Sequence, residues 1–158
     1  MGAAENVYTS LNIMPTFALE RIEELGGKLT FYRLRMDGTC EWEDFWNAHA
    51  DDPQYATELE TIQRRMELLS ELRHISSPSK WKELTRKKND THKDYEIKTS
   101  NLRAYYFKVD EGNAVVLIGF KKNQKKDIAK LRRIKDAYFD HLKAQEATTN
   151  KNRTKPKH

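Results

Sequence analysis

The amino-acid sequence predicts an α+β domain in which a small, mainly antiparallel sheet is packed by an N-terminal helical hairpin and followed by a C-terminal helix. Three observations carry the prediction. Apolar residues recur at helical spacing twice in succession, first over Trp42, Phe45, Trp46 and His49 and then over Leu59, Ile62, Met66, Leu69 and Leu72. Three runs rich in aromatic and β-branched residues then follow between Tyr95 and Phe120, parted by short turn signals. Last, Leu131, Ile134, Tyr138 and Leu142 return to a 3.6-residue period. A chain of 158 residues suits one domain with a real core.

Taken in order, residues 1–27 read as an N-terminal extension. Within it "PTFALERIEEL" has Pro15 at a first helical turn, Ala18, Arg21, Ile22 and Leu25 at helical spacing, and Gly26-Gly27 as a stop, so a short helix is expected. The domain proper is expected over 28–144. "KLTFYRLRM" alternates as a strand that Asp37-Gly38 ends, and Thr39 is the expected cap of the first hairpin helix. After the Asp51-Asp52-Pro53 break, the second helix is expected to reach about His74. "SSPSKWKELTRKKNDTHKD" reads as a basic connection pinned to the core by Trp81 and Leu84. Tyr95, Ile97 and Thr99 mark the next strand, Ser100-Asn101 turns the chain, and "LRAYYFKV" follows. "DEGN" then turns into "AVVLIGF", which is apolar on both faces and belongs in the middle of a sheet. Asp127 is the expected cap of the last helix, and from Gln145 the basic tail 145–158 is expected to be disordered.

Composition excludes several classes. No run approaches the roughly 18 apolar residues that span a bilayer, and the N-terminus lacks a secretion-signal pattern, so the expected compartment is the cytoplasm, with no membrane partner. The single cysteine, Cys40, cannot form an internal disulfide and reads as a small filler beside Trp42. The five histidines show no ligand spacing with it, so no metal or other cofactor is expected. Charge is segregated: residues 1–75 hold 7 Lys+Arg against 14 Asp+Glu, whereas 76–158 hold 22 against 10. A basic half of that size is the footprint of a chain that meets phosphate.

The block "YEIKTSNLRAYYFKVDEGNAVVLIGFKKNQKKDIAKLRRIKDAY" resembles the C-terminal half of RelE/HigB-type toxins of bacterial type II toxin-antitoxin systems, in particular the phage-related HigB branch. The resemblance lies in an ordered set: a strand with a "YEIK" element, an "R-x-x-Y-F" strand, an acidic-glycine turn, an apolar strand ending "GFKK", and a basic entry to a helix. It implies a RelE-like fold and an mRNA interferase, commonly acting at the ribosome and restrained by a cognate antitoxin, here expected to be a helix-turn-helix protein. The chemistry it implies is attack of the ribose 2′-hydroxyl on the neighbouring phosphate. That step needs a base, stabilisation of a crowded phosphorane, and an acid for the 5′-oxygen.

If the hairpin strands pair across Ser100-Asn101, Lys98 and Arg103 lie roughly opposite and can share an anion. Arg103 sits in an otherwise apolar strand, and its planar fork suits a phosphate; the alternative is a salt bridge to Glu96 or Asp94. The resemblance matches Arg103 to a phosphate-binding arginine, Lys98 to a lysine of the preceding strand, and Lys121 and Lys122 to a basic pair closing the site. Crowding these four cations would disfavour each ammonium and favour a lysine base. His92, just before the hairpin, is the candidate histidine for proton transfer. Lys93, Lys125, Lys126, Arg132 and Arg133 are expected to steer the RNA backbone or face the antitoxin. Where some relatives carry a tyrosine or histidine late in the site, this chain has Asp127 or Ile128, with Tyr138 and His141 deeper in the helix and Tyr138 fitting the core stripe. The general acid therefore stays unassigned. Two other readings fit the same fold: a ParE-like gyrase poison without catalysis, and a noncatalytic RNA- or ribosome-binding module.

Overall fold

The computed structural model describes residues 14–72, 75, 77–85 and 88–153, with side chains through residue 149. Its elements are β1 (Phe17–Arg21), β2 (Phe31–Met36), α1 (Glu41–His49), α2 (Pro53–Ser70), β3 (Trp81–Glu83), β4 (Asp94–Lys98), β5 (Leu102–Val109), β6 (Gly112–Phe120), a 3-10 turn (Lys121–Asn123) and α3 (Gln124–Arg153). The six strands form one sheet in the order β1-β2-β6-β5-β4-β3, antiparallel except between β2 and β6. The α+β class agrees with the sequence, and the sheet is mainly antiparallel as expected but larger, with six strands and one parallel pair, β2–β6.

The position of β6 follows from its composition. Phe31, Trp42, Leu59, Ile62, Met66, Ile97, Leu102, Tyr106, Val115 and Ile118 pack beneath α1 and α2 on one face. Leu34, Tyr105, Phe107, Val116, Leu117, Leu131, Ile134 and Tyr138 pack beneath α3 on the other. A strand covered on both sides needs apolar residues on both faces, and β6 supplies them from Ala114 to Ile118. A bulge lets Tyr105 pair with Leu117 and Tyr106 with Val115, leaving Val116 as the extra residue. Val116 and Leu117 therefore both serve the α3 face.

Several expectations are corrected. The segment expected as a short helix forms β1, paired from Phe17↔Met36 to Arg21↔Tyr32. Phe17 and Leu19 also alternate, and the open edge of β2 decides between the two periods by offering hydrogen bonds along the whole strand. Glu20 then meets Arg35 at 3.0 Å and Arg33 at 3.3 Å across the ladder. Trp81 lies in a strand of its own, β3, whose ring stacks on Tyr95 at 5.3 Å. Thr39 does not cap α1: the cap position is Cys40, and the Thr39 hydroxyl donates to the Met36 carbonyl at 3.0 Å. That bond closes a tight turn in which Asp37 (φ 53°) and Gly38 (φ 81°) both take left-handed conformations. Asp52 caps α2 by accepting from the Gln54 amide at 3.0 Å. The α2 helix ends at Ser70, and His74 lies outside the described residues. At the other end, α3 starts at Gln124 and not at Asp127, and it continues to Arg153 through the segment expected to be disordered. Good helix formers in "KAQEA" extend it without help from the core, since residues 143–149 are exposed. Among the described residues no helix is long and apolar enough to cross a membrane.

Candidate functional site

The β4–β5 hairpin, the end of β6 and the start of α3 meet at one end of the sheet. Lys98 stands directly opposite Arg103, and Arg103 opposite Gly119. The Lys121 amide donates to the Asn101 carbonyl at 2.8 Å, so the basic pair after β6 is fastened beside the hairpin turn. Four of the expected site residues, Lys98, Arg103, Lys121 and Lys122, are thus carried by one end of the fold.

The turn is held from α2. Glu58 accepts from the Thr99 hydroxyl at 2.5 Å, the Asn101 amide at 2.7 Å and the Asn101 side chain at 3.0 Å. Burial pushes the Glu58 carboxyl up, but these hydrogen bonds outweigh it and leave the group below its ordinary value. Arg65, about two turns along the same helix face, donates to the Lys98 carbonyl.

Beneath the turn, on the α3 face, the chemistry is polar and largely enclosed. Arg103 is only 7% exposed, and its Nη1 donates to the carbonyls of Thr99 (2.5 Å) and Leu102 (2.8 Å). It forms neither of the expected carboxylate pairs. Glu96 instead meets Lys98 at 3.7 Å and accepts from the Gln124 side chain at 2.7 Å, while Asp94 meets Arg132 at 3.7 Å and Lys135 at 3.9 Å. The nearest charge to the Lys98 ammonium is therefore opposite in sign, where the sequence had suggested a crowd of cations. Glu96 is fully buried and faces Tyr105 across the ladder. Burial first, and then the Glu96 charge, push the Tyr105 hydroxyl far above its ordinary value, so it stays protonated. Among the described residues, three buried polar atoms here have no hydrogen-bond partner: Glu96 Oε1, Arg103 Nε and the Tyr105 hydroxyl oxygen. The other buried side-chain polar atoms of the described residues each have a partner. Asp127 closes the group from the first turn of α3, its carboxyl raised by burial, which the Lys130 charge partly opposes.

The remaining sequence-predicted residues lie elsewhere. His92 is six residues before Lys98, roughly 20 Å along extended chain. Its Nε2 contacts Asp110 at 2.9 Å and its ring lies 4.2 Å from Phe139, so the fold does not bring it to the Lys98–Arg103 end. Lys93 pairs with Glu83 at 3.3 Å. Arg132 donates to the Leu84 carbonyl at 3.0 Å as well as meeting Asp94. Lys125, Lys126 and Arg133 are exposed along α3. Tyr138 is core, in edge contact with Phe17 at 5.6 Å, and burial pushes its hydroxyl up to about 12. Cys40 is buried, and burial also raises its thiol, as suits the filler role. Among the described residues no group of three His, Cys, Asp or Glu could hold a metal ion.

Sequence reasoning had weighed Glu96 only as a partner for Arg103. Its strand parity with Lys98, two residues on, was the available signal. Glu58 had none, because it lies 41 residues from Thr99. No family model matches the chain, and neither curated proteins nor solved structures include a similar one.

Proposed function

We propose that the chain is an endoribonuclease of the RelE/HigB kind that cuts mRNA at the ribosome and is restrained by an antitoxin protein. The observation that supports it most is the register placing Lys98 opposite Arg103, with Lys121 bonded to the same hairpin turn. A scissile phosphate at this end would meet the ammonium groups of Lys98, Lys121 and Lys122, while Arg103 lies beneath as a fixed positive charge. In the reaction the 2′-oxygen bonds to phosphorus as the bond to the 5′-oxygen breaks. One proton leaves the 2′-hydroxyl and one reaches the 5′-oxygen, giving a cyclic phosphate and a free 5′-hydroxyl. In this reading Lys98 exchanges a proton, with Glu96 beside it at 3.7 Å and Gln124 holding Glu96 in turn. His92 has no part in this step.

The test compares wild type with Lys98→Met and Arg103→Ala on short RNA and during in-vitro translation. Cleavage should fall by orders of magnitude in Lys98→Met with the fold retained by circular dichroism; unchanged cleavage sinks the role. A second reading, a noncatalytic RNA- or ribosome-binding module, is favoured by the internal engagement of Arg103 and Lys98 with Thr99, Leu102 and Glu96. Binding and translational arrest without any cut would establish it, and a gyrase supercoiling assay run in parallel reads the ParE-like alternative.

A further inference from the structure

At the end of β6 the Phe120 ring leaves the α3 face to the polar group and turns to the opposite side of the sheet. There it meets Phe45 at 5.4 Å, Tyr55 at 5.4 Å and His49 at 5.7 Å. His49 in turn lies 4.3 Å from Phe45 and 5.5 Å from Tyr55. Four rings from three elements, α1, α2 and β6, thus form one patch. All four are only half-buried. Aromatic rings in a core are normally enclosed, and this chain encloses Phe31, Tyr105, Tyr106 and Phe107. Trp81 with Tyr95, and Phe17, His92, Phe139 and His141, are partly buried as well; what sets this group apart is the charge it adjoins.

The patch borders unengaged positive charge. Lys121 and Lys122 are exposed directly after Phe120 and make no ion pair among the described residues. The Lys122 ammonium lies 5.9 Å from the centre of the Phe120 ring. The acids around it are mostly committed: Glu58 to the hairpin turn, Asp52 to the α2 cap, and Glu41 to Lys130 at 2.8 Å. Asp44 and Asp51, next to Phe45 and close after His49 in sequence, stay exposed.

We infer that Phe45, His49, Tyr55 and Phe120 form a base-stacking subsite for single-stranded RNA, with Lys121 and Lys122 holding the phosphates beside the stacked base. Partly exposed rings next to lysines that make no ion pair among the described residues match the pattern that binds single strands, because every base offers a π face while its backbone seeks cations. The lysines stand at the sheet end between the two faces. A strand crossing that end places a base over the rings on one face and the next phosphate toward Lys98 on the other. The inference rests on the nuclease reading for its substrate, and it names a base-recognising surface which that reading does not contain.

The experiment measures binding of the full chain to a labelled single-stranded RNA and to an abasic oligonucleotide of equal length. Phe45→Leu and Tyr55→Leu keep apolar bulk and remove the π face, and thermal unfolding confirms that they fold. Each should weaken RNA binding about 10-fold and leave abasic binding unchanged. The Lys121→Ala/Lys122→Ala double variant should weaken both ligands. Equal RNA binding by wild type and the leucine variants overturns the inference, as does an equal loss on the abasic ligand. Cleavage is read on the same samples. Ring-dependent binding without cleavage removes the nuclease reading and keeps the stacking site, whereas cleavage with ring-independent binding removes the stacking site alone.

Discussion

Glu58 shows how much one side chain can organise. It lies on α2, yet it caps a turn 41 residues away through Thr99 and Asn101, and so fixes where Lys98 and Arg103 meet. Its carboxyl is held below the ordinary value of 4.5 in the folded chain, so the folded state favours the charged form. The stability this contributes is present above the unfolded value and is lost as pH falls through the lower, folded one. Wild type should therefore exceed Glu58→Gln in Tm at pH 7 by a margin that closes below about pH 4. Thermal unfolding of both proteins between pH 7 and pH 3 measures it, and a margin independent of pH would contradict the assignment. Glu96 makes a different point at the same scale. Glu96, with no exposure, is engaged in the interior by both Lys98 and Gln124; removing Lys98 takes away its ion-pair partner and removing Gln124 a hydrogen bond.

The way α3 docks on the sheet depends on a missing side chain. A Cβ at Gly119 would stand 2.0 Å from Asp127 Oδ2 and 3.1 Å from its Cγ, so the glycine lets the first turn of α3 lie against β6. Gly119→Ala should cost about 1–3 kcal/mol, since the Asp127 carboxyl that it meets is itself buried. Combining it with Asp127→Ala should restore much of the loss, a non-additivity that urea unfolding of the single and double variants can read. Additive losses would mean that the two positions do not press on one another. The same contact explains why α3 starts early. The 3-10 turn over Lys121–Asn123 carries the chain from β6 into the helix, and Asp127 enters the interior and does not serve as the cap.

Across the whole molecule the acidic and basic halves of the chain form different elements, which meet at the β2–β6 pair, at Glu41–Lys130 and at Glu58 on the hairpin turn. Residues 1–75 supply β1, β2 and the α1–α2 layer, while 76–158 supply β3 to β6 and α3, so the cations gather around the hairpin end and along α3. Binding to a single strand through such a surface releases counterions, with a slope of about −0.7 in log affinity against log salt for each phosphate neutralised. Replacing Lys121 and Lys122 together by alanine should bring the measured slope closer to zero by about 1.4, and titrations at several salt concentrations check this. An unchanged slope would place the RNA elsewhere on the basic half.

Periodicity and composition by themselves determined the α+β class, the two packed helices, the Ser100-Asn101 hairpin that sets Lys98 against Arg103, and the central place of β6. Each of these is a short-range consequence of chain chemistry: a 3.6 or 2.0 residue period, a turn pair, a run apolar on both faces. Only the tertiary structure decided the rest. "FALER" fits either period, and the free edge of β2 made it a strand. His92 is near Lys98 in sequence, but an extended strand carries the two to opposite ends of the sheet. Glu58 reaches the turn, Gln124 reaches Glu96, and the rings of Phe45, His49, Tyr55 and Phe120 gather only once three elements pack. The physical reason is common to all of them: they are contacts between residues far apart along the chain, and no local pattern encodes which distant side chain will complete a buried charge or a ring cluster.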